Sequence, residues 1–152
     1  MVVPTRHMAL VTCANPAGGR GILGRMIKLT CILRRKPGMS PAQFHAYWRD
    51  VHGPLVLGTK SGSHVLRYEQ HHRPLDDYPA PSAPDGGGGA AGAGDYDGVT
   101  EQWFASMDEY RAHVAEEDFA TVWADLQNFL DVEHLAFVLT EAPVIVMDGP
   151  RH

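Results

Sequence analysis

The sequence predicts one α+β domain in which a four-stranded antiparallel sheet carries helices on one face. Apolar residues alternate with polar ones in four short segments, and they recur every three or four residues in the segments between them. The segments follow the order β-α-β-β-α-α-β, which is the split β-α-β arrangement of the ferredoxin-like fold. A length of 152 residues and a hydrophobic content of 44% suit a single domain with a real core.

The strands are predicted from period-two patterns. In the first segment the apolar residues occupy every second position: Ile27, Leu29, Cys31 and Leu33. In the second segment one strand face carries Leu66, Tyr68, Gln70 and His72. We expect strands at residues 26–33, 64–72, 99–104 and 135–146, with Pro143 interrupting the last.

Three capping signals mark where helices begin. Ser40 with Gln43, and Ser106 with Glu109, have the spacing of a capping box, in which each side chain bonds the backbone amide of the other residue. Asp118 has the side chain of an N-cap for a further helix. Apolar residues recur at helical spacing behind each signal, so we expect amphipathic helices that pack on the sheet.

The predicted domain spans residues 26–148. The apolar run in residues 1–25 is too short for a secretory signal or a membrane helix. These residues are expected to be a disordered extension; the alternative is that translation starts at Met26. Residues 73–95 contain four prolines and a glycine-rich tract, which predicts a flexible loop. Residues 149–152 would form a short tail.

The composition excludes several classes of function. The formal net charge is −5 and no basic stripe occurs, so neither nucleic acid nor an anionic membrane is an expected partner. Two cysteines give no disulfide framework and suit a reducing cytoplasm, the expected location. The sequence has no His-x-x-x-His, Cys-x-x-Cys or phosphate-loop motif, so we expect no metal and no cofactor.

Two segments resemble the opening of an EthD domain: Met26 to Gly38, and Ser40 to Leu55, whose Tyr-Trp-Arg-x-x-His-x-Pro-Leu core is the most distinctive part. The resemblance continues through residues 67–72 and 96–104 and ends near Asp131. It implies a dimeric α/β barrel with a pocket between sheet and helices. Related barrels include cofactor-free monooxygenases, lactone isomerases and polyketide cyclases or dehydratases.

A homodimer through the sheet faces is expected for a second reason. The predicted helices cover only one face of the sheet, and a second subunit is the usual cover for the other face.

His52 is the first catalytic candidate. It borders the apolar stripe four residues after Trp48, and the adjoining Gly53-Pro54 should kink or end the helix there and open space. A histidine at such a position can act as a general acid or base near neutral pH. The alternative is a structural histidine that holds the helix end to a sheet carbonyl.

Tyr68, Gln70 and His72 form the second group of candidates because they share one strand face. Tyr68 and His72 could polarise a carbonyl or shuttle a proton, with Gln70 in a binding role. The alternative is an amphipathic face at the dimer seam.

The pocket wall supplies the remaining candidates. The residues expected to bind substrate besides Gln70 are Tyr47, Trp48, Glu101 and Trp103. Glu101 could be a buried carboxylate or an exposed charge at a sheet edge, and Trp103 could be core or pocket wall.

Three functions remain open at this point. The first is a cofactor-independent enzyme that uses acid/base chemistry of the isomerase, dehydratase or cyclase type on a small aromatic or polyketide-like substrate. The second is a cofactor-free monooxygenase of the same superfamily. The third is a non-enzymatic dimeric binding or accessory protein in a degradation pathway.

Overall fold

The structure of the chain is a computed structural model that describes residues 25–78, 96–141, 143 and 146. Most of the predicted N-terminal extension, most of the glycine-rich loop and the C-terminal tail lie outside the described residues. The first residues of that loop are described, and they form a 3-10 turn at Leu75–Asp77, where the Arg73 guanidinium pairs with Asp77 at 2.6 Å.

Four strands form one antiparallel sheet. Their bounds are β1 (Ile27–Leu33), β2 (Arg67–His72), β3 (Gly98–Phe104) and β4 (Ala136–Thr140). The order across the sheet is β2-β3-β1-β4, with every neighbouring pair antiparallel. This order confirms the ferredoxin-like α+β fold predicted from the sequence.

The helical elements cover one face of this sheet. They are α1 (Pro41–Tyr47), a π-helical segment (Trp48–His52), α2 (Gly53–Leu57), α3 (Lys60–Ser63), α4 (Met107–Ala115) and α5 (Phe119–Phe129). The short helix α3 was not predicted, and β2 begins three residues later than expected because α3 and the turn after it precede the strand.

The two predicted capping boxes differ. At α1 the box is confirmed, since Ser40 Oγ accepts the Gln43 N–H at 3.2 Å and the Ser40 N–H donates to Gln43 Oε1 at 2.9 Å. At α4, Ser106 Oγ accepts the Glu109 N–H at 3.2 Å, but the Glu109 carboxylate contacts His64 Nδ1 at 2.8 Å. The second box is therefore half formed, because a tertiary partner competes for its glutamate.

Asp118 occupies the N-cap position of α5 but does not cap that helix. Its carboxylate accepts the backbone N–H groups of Lys60, at 2.7 Å, and Ser61, at 3.0 Å. These amides belong to the first turn of α3, which leaves them without partners inside the helix. The predicted cap is wrong because the acceptor serves a neighbouring helix.

The first helix passes Gly53-Pro54 without ending. The Gly53 N–H donates to the Trp48 carbonyl five residues earlier, which is the spacing of a π-helix. Pro54 then lies at the start of α2, where a missing N–H costs no hydrogen bond. A π-helical turn thus replaces the kink or end expected near His52, and both Trp48 and His52 are buried.

The core lies between the sheet and the helices in two clusters. The larger is built from Leu33, Phe44, Trp48, Phe129 and Leu130, and the smaller from Ile27, Phe104 and Tyr110. No described residue covers the other face of the sheet, where Ile32 and Val138 are exposed. Among the helices of the described residues, none has both the length and the apolar content to cross a membrane.

Gly62 allows α3 to pack directly on α2. A Cβ at residue 62 would lie 1.9 Å from the Val56 carbonyl oxygen and 2.9 Å from its carbonyl carbon. Because both atoms belong to the backbone, Gly62→Ala should force the two helices apart and lower the free energy of unfolding by about 1–3 kcal/mol or more. Thermal unfolding followed by circular dichroism should show this as a lower Tm.

Gly58→Ala is the matched control. The nearest atom to a Cβ at residue 58 is the Pro54 carbonyl oxygen at 3.4 Å, which is an ordinary contact. This variant should keep a Tm close to that of the wild type. A Gly62→Ala protein that melts at the wild-type temperature would contradict the close packing of α3.

Candidate functional site

A cavity of about 530 Å³ lies between the sheet and the helices. Strand β1 and helices α4 and α5 supply much of its apolar wall, and its volume falls within the range of small-molecule pockets. Trp123 and Phe137 belong to the wall while remaining 46% and 49% exposed, so they lie where the cavity meets solvent. Its polar side chains include His52, Tyr68 and His113.

His52 reaches this cavity from the π-helical segment. Its Nδ1–H donates to Asp125 Oδ2 at 2.8 Å, and its ring packs against Phe129 at 4.9 Å between centroids. Asp125 also accepts from the Tyr47 hydroxyl at 2.7 Å and from Asn128 Nδ2 at 2.9 Å. With Nδ1 engaged, Nε2 of the neutral ring is the acceptor, and Nδ1 makes the one hydrogen bond that this ring has among the described residues.

The environment keeps this imidazole neutral and the carboxylate charged. Burial lowers the pKa of His52, and the hydrogen bond to Asp125 opposes that shift only in part. Burial alone would raise the pKa of Asp125, but hydrogen bonds from Tyr47, His52 and Asn128 outweigh it and lower the pKa. A neutral imidazole oriented by a carboxylate is the arrangement of a general base.

Tyr68 presents a hydrogen-bond donor to the same cavity. Its hydroxyl oxygen accepts from the Trp48 indole N–H at 3.1 Å and from Gln70 Nε2 at 3.0 Å. Both acceptor positions of the oxygen are thereby used, so its own O–H is left to donate to Thr100 or to a molecule in the cavity. Burial raises the pKa of Tyr68, which keeps the phenol protonated at neutral pH.

Gln70 and His72 lie behind Trp48 and do not line the cavity. Gln70 acts indirectly, since its amide holds both the Tyr68 hydroxyl and, at 2.9 Å, the Trp48 carbonyl. The His72 ring lies 4.4 Å from the Trp48 ring and 4.8 Å from the His45 ring, and its Nε2–H donates to Gln70 Oε1 at 3.1 Å. Its Nδ1 is buried without a hydrogen-bond partner among the described residues.

Glu101 and Trp103 lie on the opposite face of the sheet. Strand β3 turns residues 98, 100, 102 and 104 toward the helices, so the alternate residues face away from the cavity. Lys28 Nζ donates to Glu101 at 2.8 Å and stands 5.7 Å from the centre of the Trp103 ring. The expected roles of Glu101 and Trp103 in substrate binding therefore do not fit this cavity. Tyr47 is also behind its wall, bonded to Asp125.

Asp125 is a site residue that the sequence interpretation missed. It lies three residues after Val122 and four before Phe129, both of them buried, so it falls on the apolar stripe of α5. A carboxylate on a buried stripe needs a hydrogen-bonding or charged partner. The position of Asp125 on that stripe could therefore have identified it as a candidate from the sequence.

His113 was missed as well. Its Nδ1–H donates to the Ser61 carbonyl at 2.8 Å, while the Ser61 hydroxyl donates to the His113 carbonyl at 2.9 Å. Burial lowers the pKa of His113, and Nδ1 is the nitrogen of its ring that makes hydrogen bonds among the described residues. Because His113 lines the cavity, a second neutral imidazole faces it. The sequence could have identified His113 from its position three residues after Tyr110, which places it on the buried face of α4.

Cys31 contributes an apolar contact to the cavity. Burial raises the pKa of its thiol to about 11, so the thiolate that would act as a nucleophile is scarce at neutral pH.

Comparison with solved structures gives similar folds at low sequence identity. An EthD family protein from Bacillus halodurans has a TM-score of 0.54 at 12% identity, over 78% of this chain and 99% of that one. A dimeric ferredoxin-like protein from Thermobifida fusca has a TM-score of 0.51 at 16% identity, over 78% and 92%. SnoaB, a cofactor-independent oxygenase from Streptomyces nogalater, has a TM-score of 0.50 at 10% identity, over 82% and 100%.

A comparison with curated protein sequences gives no match. The EthD domain family model, in contrast, matches residues 36–133, which include the π-helical segment, strands β2 and β3 and helices α4 and α5. The chain belongs to the EthD domain family.

Proposed function

We propose that this EthD-domain protein binds a planar, oxygen-bearing small molecule in the cavity and moves a proton on it without a cofactor. One observation carries the proposal: the neutral His52, oriented by Asp125, and the protonated Tyr68 line the same apolar cavity. A base beside a hydrogen-bond donor in a site of low dielectric constant is suited to removing a proton next to a carbonyl.

The proposed step begins with transfer of a carbon-bound proton to His52 Nε2. Its Nδ1–H stays bonded to Asp125, whose negative charge stabilises the imidazolium that forms. The electrons of the broken C–H bond become an enolate, and the Tyr68 O–H donates to its oxygen. Return of the proton from His52 to another carbon gives an isomer. Departure of a β-hydroxyl group as water, with that proton, gives dehydration. Attack on a second carbonyl, whose oxygen takes the proton, gives cyclisation.

The walls favour aromatic or polyketide-like substrates. Trp48, Phe119, Trp123 and Phe137 supply flat apolar surfaces, and Glu116 is the one charged side chain among the described residues that line the cavity. A neutral planar molecule can stack on such rings without leaving a buried charge unpaired.

The structural similarity to SnoaB favours a second candidate, a cofactor-free monooxygenase. In that reaction the same carbanion would add dioxygen, and the proton from His52 would complete a hydroperoxide. Loss of water from the hydroperoxide would leave one oxygen atom on the substrate as a carbonyl, with the substrate as the electron donor. Oxygen uptake during turnover separates this reaction from isomerisation, dehydration or cyclisation. A non-enzymatic binding protein would bind a ligand and catalyse no proton transfer at all.

Ligand entry should quench tryptophan fluorescence selectively. Trp48 and Trp123 line the cavity, whereas Trp103 lies on the other face of the sheet. Titration with 1-hydroxyanthraquinone, a planar phenol, should quench the emission in a saturable way. Trp123→Phe should remove part of this response, while Trp103→Phe should keep it. Quenching that depends on Trp103 alone would place the ligand outside the cavity.

Proton transfer can be measured with 2-tetralone, whose carbonyl acidifies the neighbouring C–H bonds. In D₂O the protein should accelerate loss of the C1 proton signal in NMR spectra. His52→Asn should lower this rate by about 100-fold or more, because one acid–base group is lost. Tyr68→Phe should lower it by about 100-fold, because the enolate oxygen loses its donor.

The rate should also depend on pH. The pKa of His52 is below its usual value of 6.5, and only the neutral ring accepts a proton. The rate should therefore rise with pH through that lowered pKa and reach a plateau at or below neutral pH. The matched control is His134→Asn at an exposed pair with Asp131, which should leave the rate unchanged. A folded His52→Asn variant with full activity would point to His113 as the base.

We also propose that the protein is a homodimer that packs through the open face of its sheet. The similar protein from Thermobifida fusca is described as dimeric, and the open face here carries exposed apolar residues. A stable interface would bury on the order of 1,600 Å² in total.

Sedimentation should show a dimer at micromolar concentration. Val138→Asp should shift the protein to monomer, because Val138 is 54% exposed on the open face and a carboxylate there would be desolvated. Leu57→Asp is the control, since Leu57 is 71% exposed at the end of α2 on the helical side. A wild-type monomer would rule out this interface.

A further inference from the structure

A second group of chemically active side chains lies on the open face, away from the cavity. Glu69 on β2 and Glu101 on β3 are direct partners in the strand register, and His71 is two residues along the same face of β2. Two carboxylates opposite each other on neighbouring strands repel and weaken the sheet. The pair therefore requires positive charge close to both residues.

The two oxygens of each carboxylate have different surroundings. Lys28 Nζ bonds Glu101 Oε1 at 2.8 Å, and the Arg67 guanidinium pairs with Glu69 Oε1. The other oxygens face one and the same atom, His71 Nε2, at 3.0 Å from Glu69 Oε2 and 3.7 Å from Glu101 Oε2. The contacts of the two Oε1 atoms with Lys28 and Arg67 thus orient the carboxylates, and the two Oε2 atoms converge on one imidazole nitrogen.

The 3.0 Å separation between His71 Nε2 and Glu69 Oε2 matches an edge of a metal coordination shell, and the 3.7 Å separation from Glu101 Oε2 is longer than such an edge. With metal–ligand distances of about 2.1 Å, neighbouring ligand atoms lie roughly 3.0–3.4 Å apart in octahedral or tetrahedral geometry. All three ligand atoms here lie within 4.8 Å of one another. Small side-chain movements would bring them around one ion, and all three come from a single chain.

The contacts of His71 differ from those of a histidine that bridges two carboxylates. His64 also lies between two glutamates, but it uses a different nitrogen for each: Nδ1 contacts Glu109 at 2.8 Å and Nε2 contacts Glu116 at 3.3 Å. A doubly protonated imidazole satisfies both of those carboxylates. At His71 both carboxylates face Nε2, which carries at most one proton.

We propose that Glu69, His71 and Glu101 bind a divalent transition-metal ion such as Zn²⁺. One imidazole and two carboxylates suit Zn²⁺ and neighbouring first-row ions, whereas Mg²⁺ and Ca²⁺ prefer oxygen ligands alone. Lys28 and Arg67 contact the Oε1 atoms of the two carboxylates, and such hydrogen bonds commonly orient the side chains that bind a metal. Their positive charges also offset those of the carboxylates, so the affinity should be moderate.

The test is isothermal titration of the full chain with ZnCl₂. We expect one ion per chain, loss of that site in His71→Ala, and at least 10-fold weaker binding in Glu101→Gln. Both variants should fold, since His71 is half exposed and glutamine preserves the shape of residue 101. Thermal unfolding in the presence of EDTA checks this directly.

His64→Ala is the matched control and should bind Zn²⁺ like the wild type. MgCl₂ should give no site, and Co²⁺ should produce visible absorption bands that His71→Ala lacks. The proposal is overturned if the wild type binds no Zn²⁺, or if the site survives both His71→Ala and Glu101→Gln. EDTA should leave proton exchange on 2-tetralone unchanged, so this result is independent of the cavity chemistry.

Discussion

The position of Trp48 between the helical layer and the sheet controls much of this structure. Its indole N–H donates to Tyr68, and its carbonyl accepts from both the Gly53 N–H and the Gln70 side chain. Strand β3 passes so close that a Cβ at Gly98 would lie 2.7 Å from the indole ring. These contacts fix the π-helical segment against β2 and β3. His52 belongs to that segment and therefore lines the cavity.

That arrangement divides the polar residues of the helical side into two groups. On the cavity side, His52 and Tyr68 combine an accepting nitrogen with a donating hydroxyl in apolar surroundings. On the far side of the indole, His45 and His72 pack edge to face, and burial lowers the pKa of both rings. The indole thus separates His45 and His72 from the cavity, which leaves His52 and His113 as the imidazoles that face it.

The two faces of the sheet carry different chemistry, although the same strands build both. The helical face is apolar, and its histidines can be buried there because a neutral imidazole carries no charge to desolvate. The open face joins Lys28, Glu101, His71, Glu69 and Arg67 in one chain of polar contacts between exposed apolar residues. The exposed apolar residues Ile32 and Val138 lie on β1 and β4, whereas the proposed cation ligands lie on β2 and β3. A second subunit and a cation would therefore use different halves of this face.

Local sequence patterns determined most of the fold. Alternation predicted the strands, Ser40 with Gln43 predicted a formed capping box, and the EthD-like motif singled out His52 and Trp48. These features depend on residues within a few positions of one another, so they can be recognised in the sequence without any knowledge of tertiary contacts. Alternation also showed correctly that Glu101 and Trp103 share a face.

Only the tertiary structure decided which face the helices cover, and for that reason Glu101 and Trp103 turned out to lie away from the cavity. Asp125, which orients His52 from 73 positions away in the chain, became identifiable only when α5 packed on the π-helical turn. The Glu69–Glu101 pair likewise depends on the register of β2 against β3. Sequence spacing cannot supply such contacts, because packing and strand register are set by the whole core.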